Sequence, residues 1–209
     1  MKKEITIIDY GMGNILSLKR ALEYIGAIVV VTSDNSIISK SSHLILPGVG
    51  AFSKAMETIN KLGLDDAIKS SLKKGNFLLG ICLGMQLLLT DSEEFSFSKG
   101  LDLISGKVRI ISKNENVKIP HIGWSNLKNS NNSIKFDEYL FKNINEKDSF
   151  YFTHSFMCIT EKDKCLFYTD YNNINIPAVI NTKNIFGFQF HPEKSGKAGL
   201  ILLENFKNI

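Results

Sequence analysis

Cys82 is the side chain with the clearest potential for chemistry. It lies in Gly80-Ile81-Cys82-Leu83-Gly84, where a glycine stands two residues to either side of the thiol. This pattern is typical of a sharp turn from a strand into a helix, which exposes a nucleophile and offers the next residue's N–H to an oxyanion. However, a lone cysteine in an apolar run is commonly a small buried hydrophobic residue. The stretch alone leaves both interpretations open.

His191 and Glu193 could turn this thiol into a nucleophile. A catalytic thiol needs a base, and the base needs a third group that orients it. His191 follows an apolar strand, and Pro192 favours an extended conformation for His191. In extended chain, positions i and i+2 point to the same side, so Glu193 can approach the imidazole. The other histidines, each a rival for the role of base, are His43, His121 and His154.

The first half of the chain supplies the elements that would position these groups. Short apolar runs predict strands at residues 5–8, 28–31, 43–46 and 77–81. Apolar residues at helical spacing predict helices at 15–25, 52–59, 67–72 and from 85 onwards. Alternation of strands and helices at this pace indicates an α/β fold with a mostly parallel central sheet flanked by helices.

The second half is richer in strands. Strands are predicted at 101–104, 108–111, 150–152, 165–169, 178–181 and 186–190, and a closing helix at 200–206. Residues 91–100 and 120–124 are predicted as loops, and residues 129–133 as a polar turn. Because few helices separate these strands, we expect an antiparallel, strand-rich extension of the first sheet. The whole chain, 1–209, is then one domain.

Composition narrows the class of protein. The 209 residues are 44% hydrophobic, and 25 basic against 21 acidic residues give a net charge of +4. The lysines are scattered rather than grouped with aromatic residues, so a nucleic-acid partner is not expected. The amino-terminal apolar run is too short for a signal peptide, and no stretch approaches the ~20 apolar residues of a membrane span. We expect a soluble, cytoplasmic protein without a membrane partner.

Metal and cofactor sites find little support in the sequence. The three cysteines, Cys82, Cys158 and Cys165, show no Cys-x-x-Cys spacing, which argues against a zinc site or a disulfide framework. Gly11-Met12-Gly13 follows the first strand, but Leu16 stands where a dinucleotide fingerprint has its third glycine. We therefore expect no metal and no cofactor.

The motifs together resemble a known family. Gly80-Ile81-Cys82-Leu83-Gly84-Met85-Gln86 with His191-Pro192-Glu193 is similar to the signature of class I, triad-type glutamine amidotransferase domains, which have a flavodoxin-like fold. Further motifs resemble the glutaminase subunits of imidazole glycerol phosphate synthases, in the order of that family and over nearly the whole chain. These are Ile8-Asp9-Tyr10-Gly11-Met12-Gly13-Asn14, Leu46-Pro47-Gly48-Val49-Gly50, Pro120-His121-Ile122-Gly123-Trp124, Tyr151-Phe152-Thr153-His154-Ser155 and residues 189–199.

The resemblance implies a role for each matching residue. Cys82 would attack the carboxamide carbon of L-glutamine to give a γ-glutamyl thioester and ammonia, with His191, held by Glu193, as base and then acid. The N–H groups of Val49 and Leu83 would form the oxyanion hole. The implied substrate-binding residues are Gly48, Gly50, Gln86, Ser155 and Phe156. Phe156 stands where relatives often carry Tyr, so the contact expected there is main-chain. For Gln86 the alternative is a surface position on the helix.

The resemblance also implies a partner. Ammonia released into water would be protonated and lost, and the family passes it to a (β/α)₈-barrel cyclase subunit, in a heterodimer that serves histidine biosynthesis. Asn14, Trp124 and Tyr151 would lie at or near that interface. For Trp124 the alternative is a place in the core.

Three other functions stay open at this level. A paralogous glutaminase would carry the same motifs and supply another acceptor, such as an amidino-sugar synthase. A stand-alone hydrolase of peptides or γ-glutamyl conjugates would have an open cleft and appreciable activity without a partner. A non-catalytic binding module would not need the Cys82–His191–Glu193 set, which argues against it.

Overall fold

The computed structural model describes residues 3–112, 116–130 and 139–209. Its first half alternates strands and helices, as the apolar spacing predicts. The strands are β1 (Glu4–Ile8), β2 (Ile28–Thr32), β3 (His43–Leu46) and β4 (Phe77–Ile81). The helices are α1 (Ile15–Tyr24), α2 (Asn35–Ile38), α3 (Phe52–Leu62), α4 (Leu64–Lys73) and α5 (Leu83–Leu87). The four-residue helix α2 was not predicted.

The second half is dominated by strands and closes with one long helix. The strands are β5 (Asp91–Ser92), β6 (Ser98–Lys99), β7 (Gly106–Ile110), β8 (His121–Asn126), β9 (Lys128–Asn129), β10 (Ser149–His154), β11 (Phe156–Thr160), β12 (Cys165–Tyr171), β13 (Ile174–Thr182) and β14 (Ile185–Phe188). Helix α6 (Gly196–Asn208) ends the chain, and 3₁₀ turns lie at Tyr139–Phe141 and Pro192–Lys194.

The main sheet has the strand order β2-β1-β3-β4-β14-β13-β12-β9. Neighbours from β2 to β14 are parallel, whereas β13, β12 and β9 add antiparallel strands. The parallel part has the flavodoxin-like order 2-1-3-4-5. The predicted fold class is thus confirmed, and the antiparallel strands do extend the first sheet. Two smaller sheets, β10-β8 and β11-β7-β5-β6, pack beside it. That one domain spans residues 1–209 stays a prediction.

Side chains that alternate along the parallel strands build one apolar layer on each face of the sheet. On one face, Ile7 and Leu79 pack with the buried sides of α1 and α6. On the other, Leu44 and Leu78 pack with α3 and α4. A strand buried on both faces carries a continuous apolar run, and for that reason these strands were predictable. The result is a rigid three-layer frame.

The frame brings the ends of four strands to one edge of the sheet. The loop 47–50 follows β3, Cys82 follows β4, and residues 189–191 follow β14, and these three strands are neighbours in the order β3-β4-β14. Tyr10 follows β1, the neighbour of β3 on its other side. Because ligands of open α/β sheets bind outside the carboxyl ends of the strands, this edge is where a site is expected.

Two of the predicted elements are wrong. Residues 101–104 are not a strand: Leu101 and Ile104 are buried in the core, but the N–H groups of Leu101 and Leu103 donate to the carbonyls of Leu87 and Leu88 at the end of α5. Burial there comes from packing under a helix end rather than from sheet pairing. Residues 120–124 are not a loop, since His121 begins β8, which pairs antiparallel with β10.

Two smaller predictions also need revision. The predicted loop 91–100 contains the short strands β5 and β6, which pair with each other. In the predicted turn 129–133, Asn129 ends β9 and Ser130 is a bend, while residues 131–133 lie outside the described residues. Within the part of the chain that the structure describes, no helix has the length and apolar character needed to cross a membrane.

Candidate active site

Cys82 lies at the junction of β4 and α5 in a conformation that L-residues rarely adopt, with φ 55° and ψ −111°. Its N–H donates to the carbonyl of Phe188 at 2.7 Å, which ties the end of β4 to β14. A Cβ at Gly84 would lie 1.8 Å from the oxygen of Leu46, and one at Gly80 would lie 2.6 Å from the oxygen of Gly84. Both glycines are therefore required by close backbone contacts. The conformation of Cys82 costs on the order of 1–3 kcal/mol, which the surrounding packing must offset.

His191 and Glu193 form a buried pair beyond the end of β14. Nδ1 of His191 lies 2.8 Å from Oε1 of Glu193, and the two side chains are 3% and 4% exposed. The backbone also holds His191, since its N–H donates to Tyr151 and the Ser195 hydroxyl donates to its carbonyl. The geometry differs from the predicted extended chain: His191 is extended, but Glu193 lies in the 3₁₀ turn Pro192–Lys194.

The protonation of His191 depends on opposing effects. Burial lowers the pKa of His191, but the neighbouring Cys82 sulfur and the Glu193 carboxylate raise it by more, to about 10. Glu193 occupies Nδ1, and Nε2 is a buried atom without a hydrogen-bond partner among the described residues, which leaves it available to the thiol. An imidazolium beside the sulfur favours the thiolate, which is the nucleophilic form of cysteine.

Gln189 is a site residue that the sequence reasoning missed. It is fully buried, and its Nε2 lies 3.9 Å from the sulfur of Cys82. Its Oε1 accepts a hydrogen bond of 3.1 Å from Nε2 of Gln86, which also donates to the carbonyl of Phe156. Gln86 is therefore buried, not at the surface. One polar residue within the apolar run Phe188-Gln189-Phe190 was the available signal for Gln189.

A cavity of about 450 Å³ opens beside the thiol. This volume lies within the range of small-molecule sites. Its lining includes most of the predicted site residues, together with others that were not predicted: Val49, Gly50, Cys82, Leu83, Gln86, Glu94, Phe95, Pro120, Thr153, His154, Ser155 and Phe156. A larger cavity of about 900 Å³, bordered by residues of α6 and of the 3₁₀ turn Tyr139–Phe141, contains none of the predicted site residues.

Both predicted oxyanion donors, Leu83 and Val49, line the cavity. Leu83 is the first residue of α5, so its N–H is unpaired within the helix. Val49 follows β3 and is 43% exposed. Gly48 is not among the residues that line the cavity, and a Cβ there would meet the Tyr10 hydroxyl, Leu83 and Gly84 at 2.4, 3.0 and 3.1 Å. Its contact with substrate stays a prediction.

Glu94 is a second site residue that was missed. Its side chain is buried in the cavity wall, and Oε2 accepts a hydrogen bond of 2.5 Å from the N–H of Phe52. Burial raises the pKa of Glu94, and the hydrogen bond from Phe52 partly opposes this. A half-desolvated carboxylate at the edge of a cavity is suited to bind a cationic group. In the sequence Glu94 looks like any surface acid.

The three rival histidines are engaged elsewhere. His43 bonds the carbonyl of Ile209, where β3 begins. His154 lines the cavity, but its Nδ1 bonds the Phe156 carbonyl at 2.8 Å and its Nε2 lies 3.1 Å from Nδ1 of His121. Burial is the main cause that lowers the pKa of His121 to about 4 and that of His154 to about 3. Both rings are therefore neutral.

The predicted interface residues lie at the surface. Trp124 is 56% exposed, so a place in the core is wrong, and its ring meets that of Tyr151 edge-on at 5.9 Å. Ile122, on the same strand, is 59% exposed, and Nζ of Lys194 lies 5.9 Å from the Tyr151 ring centre. Asn14 is exposed and caps α1, where its Oδ1 accepts a hydrogen bond from the N–H of Ser17.

Comparison with known proteins points to one family. A family model described as "Glutamine amidotransferase class-I" matches residues 6–208. A protein from Caldanaerobacter subterraneus named "Imidazole glycerol phosphate synthase subunit HisH" is 46% identical, covering 97% of this chain and 96% of the relative. A protein of the same name from Chlorobaculum tepidum is 42% identical, with coverage of 97% and 98%.

Solved structures agree on the fold. "Structure of PurLQS from Thermotoga maritima" contains a chain with a TM-score of 0.73 at 22% identity, and the match covers 100% of this chain and 99% of that one. A chain titled "Crystal structure of glutamine amidotransferase" matches with a TM-score of 0.71 at 15% identity, with coverage of 98% and 99%. At these identities the likeness concerns the fold. On the family model and the curated relatives, the chain belongs to the class I glutamine amidotransferases and, among them, to the HisH subunits of imidazole glycerol phosphate synthase.

Proposed function

We propose that this chain is the glutaminase subunit of an imidazole glycerol phosphate synthase, which releases ammonia from L-glutamine for a cyclase partner in histidine biosynthesis. The observation that carries the proposal is Cys82 on a strained turn beside the buried His191–Glu193 pair, facing a cavity of small-molecule size. We propose that it acts in the cytoplasm, where a reducing environment keeps the Cys82 thiol free.

In the first half-reaction, the thiolate of Cys82 bonds to the carboxamide carbon of glutamine. The carbonyl electrons move to the oxygen, which accepts hydrogen bonds from the N–H groups of Leu83 and Val49. His191 gives its Nε2 proton to the amide nitrogen, the carbon–nitrogen bond breaks, and ammonia leaves the γ-glutamyl thioester. Glu193 stabilises the imidazolium and holds its orientation. Each oxyanion donor is worth ~10²–10³ in rate.

The second half-reaction releases the product. His191, now neutral, takes a proton from a water molecule that attacks the thioester carbon. The tetrahedral intermediate collapses to glutamate, and the Cys82 thiolate leaves. The imidazolium beside it is restored by the same proton, so the pair is ready for another turnover. Neither step calls for a metal or a cofactor.

The amino-acid end of glutamine would lie at the far side of the cavity. Its α-ammonium group matches the carboxylate of Glu94, which is otherwise poorly solvated. The backbone of Ser155 and Phe156 would bind the polar groups of this end, and Gln86 holds that backbone in place through its bond to the Phe156 carbonyl. Gly50, which lines the cavity, and Gly48 of the same loop would also contact the substrate.

The partner would be a (β/α)₈-barrel cyclase that forms a heterodimer with this chain over the β8–β10 surface. The exposed side chains of Trp124 and Ile122, with the half-buried ring of Tyr151 beside Trp124, support this choice, because large apolar groups at a surface are typical of interfaces. Tyr151 is two residues from Thr153, whose carbonyl lies 4.0 Å from the sulfur of Cys82. Ammonia would therefore be released close to the partner.

A glutamate-release assay tests the proposal. The chain should be nearly inactive on its own and should be stimulated by the barrel subunit from the same genome with its nucleotide ligand. The Cys82→Ala variant should lose activity, whereas Cys165→Ser, which changes a thiol outside the cavity, should retain it. Fast turnover without a partner would favour a stand-alone hydrolase. Stimulation by a different synthase instead would favour the paralogous pathway.

A further inference from the structure

Tyr10 lies beneath the loop that would carry one half of the oxyanion hole. It follows β1, its side chain is 3% exposed, and its hydroxyl donates a hydrogen bond of 2.8 Å to the carbonyl of Pro47. Pro47 is the first residue of the loop Pro47-Gly48-Val49-Gly50. The bond joins residues 37 positions apart in the sequence. It connects the end of one strand to the loop after the neighbouring strand.

Contacts on both sides confine Gly48. A Cβ there would lie 2.4 Å from the Tyr10 hydroxyl oxygen, 3.0 Å from Cβ of Leu83 and 3.1 Å from the nitrogen of Gly84. The Gly48 backbone is thus packed between the phenol and the start of α5. Further along, Gly50 has a φ of 104°, and a Cβ there would meet the Met12 methyl at 3.0 Å. Tyr10 and Met12 therefore support the loop from the β1 side.

The orientation of the peptide between Gly48 and Val49 decides whether the Val49 N–H can reach the oxyanion. Its N–H can serve the oxyanion only when it points into the cavity, and glycine permits this peptide to rotate. Pro47 has little freedom at φ. The bond from Tyr10 also restrains its carbonyl, so the peptide plane immediately before Gly48 is held. Rotation of the Gly48–Val49 peptide is then limited by contacts on either side.

We propose that Tyr10 is a positioning residue that, through Pro47, holds the Val49 N–H in the orientation that stabilises the oxyanion. The proposal rests on the proposed glutaminase function and deepens it. Tyr10 does not touch the reacting atoms in this role. Burial, with a smaller contribution from the Cys82 sulfur, raises the pKa of Tyr10 above its ordinary value. The hydroxyl therefore remains a donor over the working pH range and is unsuited to act as a base.

The test is the Tyr10→Phe variant, measured in the complex with the cyclase subunit and its ligand. The ring and its packing remain, while the hydrogen bond to Pro47 is lost. We expect kcat to fall ~10-fold, less than the ~10²–10³ for loss of an oxyanion donor, with KM within ~2-fold, because the interaction matters when charge develops on oxygen. Tyr171→Phe is a matched control, because the Tyr171 hydroxyl also donates to a carbonyl at 2.8 Å, that of Lys118.

A second measurement separates positioning from a general effect on the site. Alkylation of Cys82 by iodoacetamide requires the thiolate but develops no oxyanion. Its rate in Tyr10→Phe should match that of the unaltered protein, with Cys82→Ala as the blank. An unchanged kcat would overturn the proposal, and so would equal losses in kcat and alkylation rate. If the unaltered complex releases no glutamate although Cys82 is alkylated, the glutaminase function itself is wrong, which is a distinct result.

If Tyr10→Phe does not fold, meta-fluorotyrosine at position 10 replaces it. Fluorination makes the phenol a stronger donor and leaves the hydrogen bond in place. We then expect kcat to be maintained or raised, with the alkylation rate of Cys82 unchanged. A fall in kcat with this stronger donor would overturn the proposal.

Discussion

Acidification tests how His121 and His154 are buried. The carbonyl of Phe156 can only accept, so Nδ1 of His154 carries the proton in their 2.8 Å bond. Nε2 of His154 must then accept from Nδ1 of His121, and Nε2 of His121 must accept from the Ser125 hydroxyl, at 3.1 Å in each case. These tautomers are assigned from the hydrogen-bond network. A further proton on Nε2 of His154 would face the N–H of His121, whereas one on Nε2 of His121 would require the Ser125 hydroxyl to turn from donor to acceptor.

The direction in which stability changes with pH follows from the pKa values of the two rings. Burial lowers the pKa of His121 to about 4 and that of His154 to about 3, against ~6.5 in the unfolded chain. The unfolded chain therefore binds more protons as pH falls below ~6.5, and the stability that the neutral rings contribute is progressively lost towards pH 4. At ~1.4 kcal/mol for each pH unit and group, the loss through His121 alone approaches ~3 kcal/mol at pH 4.

The other histidines can be separated from this effect. The pKa of His191 is raised, so its contribution is present below ~6.5 and is lost as pH rises towards about 10. It does not produce a loss in acid. The pKa of His43 is lowered by burial, so His43 adds to the loss with the same sign. The His43→Gln variant is therefore the control for a change at a buried histidine outside the pair.

Urea unfolding followed by circular dichroism at intervals from pH 7 to pH 4 measures the effect. The free energy of unfolding should fall across this range, and the fall should be much smaller in the double variant His121→Gln/His154→Gln than in His43→Gln. Glutamine supplies one donor and one acceptor at each position without titrating there. Equal slopes in the double variant and the unaltered protein would refute the assignment, as would a stability that rises with acid.

Other changes separate structural from functional roles. Gly84→Ala would place a methyl group 1.8 Å from the Leu46 oxygen, and we expect thermal unfolding to show a loss of ~4 kcal/mol or more. Gly75→Ala, at φ 84° with open space around it, should cost ~1 kcal/mol. Trp124→Ala should weaken binding of the cyclase subunit by ~2 kcal/mol in a titration while leaving the melting temperature unchanged, because this side chain is 56% exposed. The same loss in Phe97→Ala, another exposed aromatic residue, would show that the effect is not specific. Glu94→Gln should raise KM for glutamine by ~10-fold or more with little change in kcat, since charge pairing with the α-ammonium group is the same in the ground and transition states. A fall in kcat at constant KM would contradict that role.

The parallel part of the fold could be predicted because burial on both faces leaves continuous apolar runs. Strand β8 could not, since its residues His121, Gly123 and Trp124 show no simple alternation of apolar and polar side chains. His121 stacks on Phe152 and Tyr171 at 4.9 and 4.2 Å, so an aromatic environment buries a residue that looks polar. Residues 101–104 were wrongly predicted as a strand, because apolar side chains are buried there without sheet pairing.

In the candidate site too, some residues could be predicted from the sequence and others could not. Cys82, His191 and Glu193 stand out because local constraints, two glycines and one proline, surround them. Gln189 and Tyr10 are distant in sequence from the groups they contact, and those contacts exist because β1, β3, β4 and β14 end at the same edge. Pairwise contacts of that kind need the register of the sheet, which a single sequence does not supply.

Strand β10 connects the exposed surface to the chemistry. The ring of Tyr151 packs against Trp124 outside, while its carbonyl accepts the N–H of His191 at 2.9 Å. Two residues further on, the carbonyl of Thr153 lies 4.0 Å from the sulfur of Cys82. A protein that binds over Trp124 and Tyr151 therefore contacts the same strand that holds the base and flanks the nucleophile. Packed strands transmit small displacements because they are dense and resist compression. We therefore expect docking on this surface to affect the geometry of Cys82 and His191 through this six-residue strand.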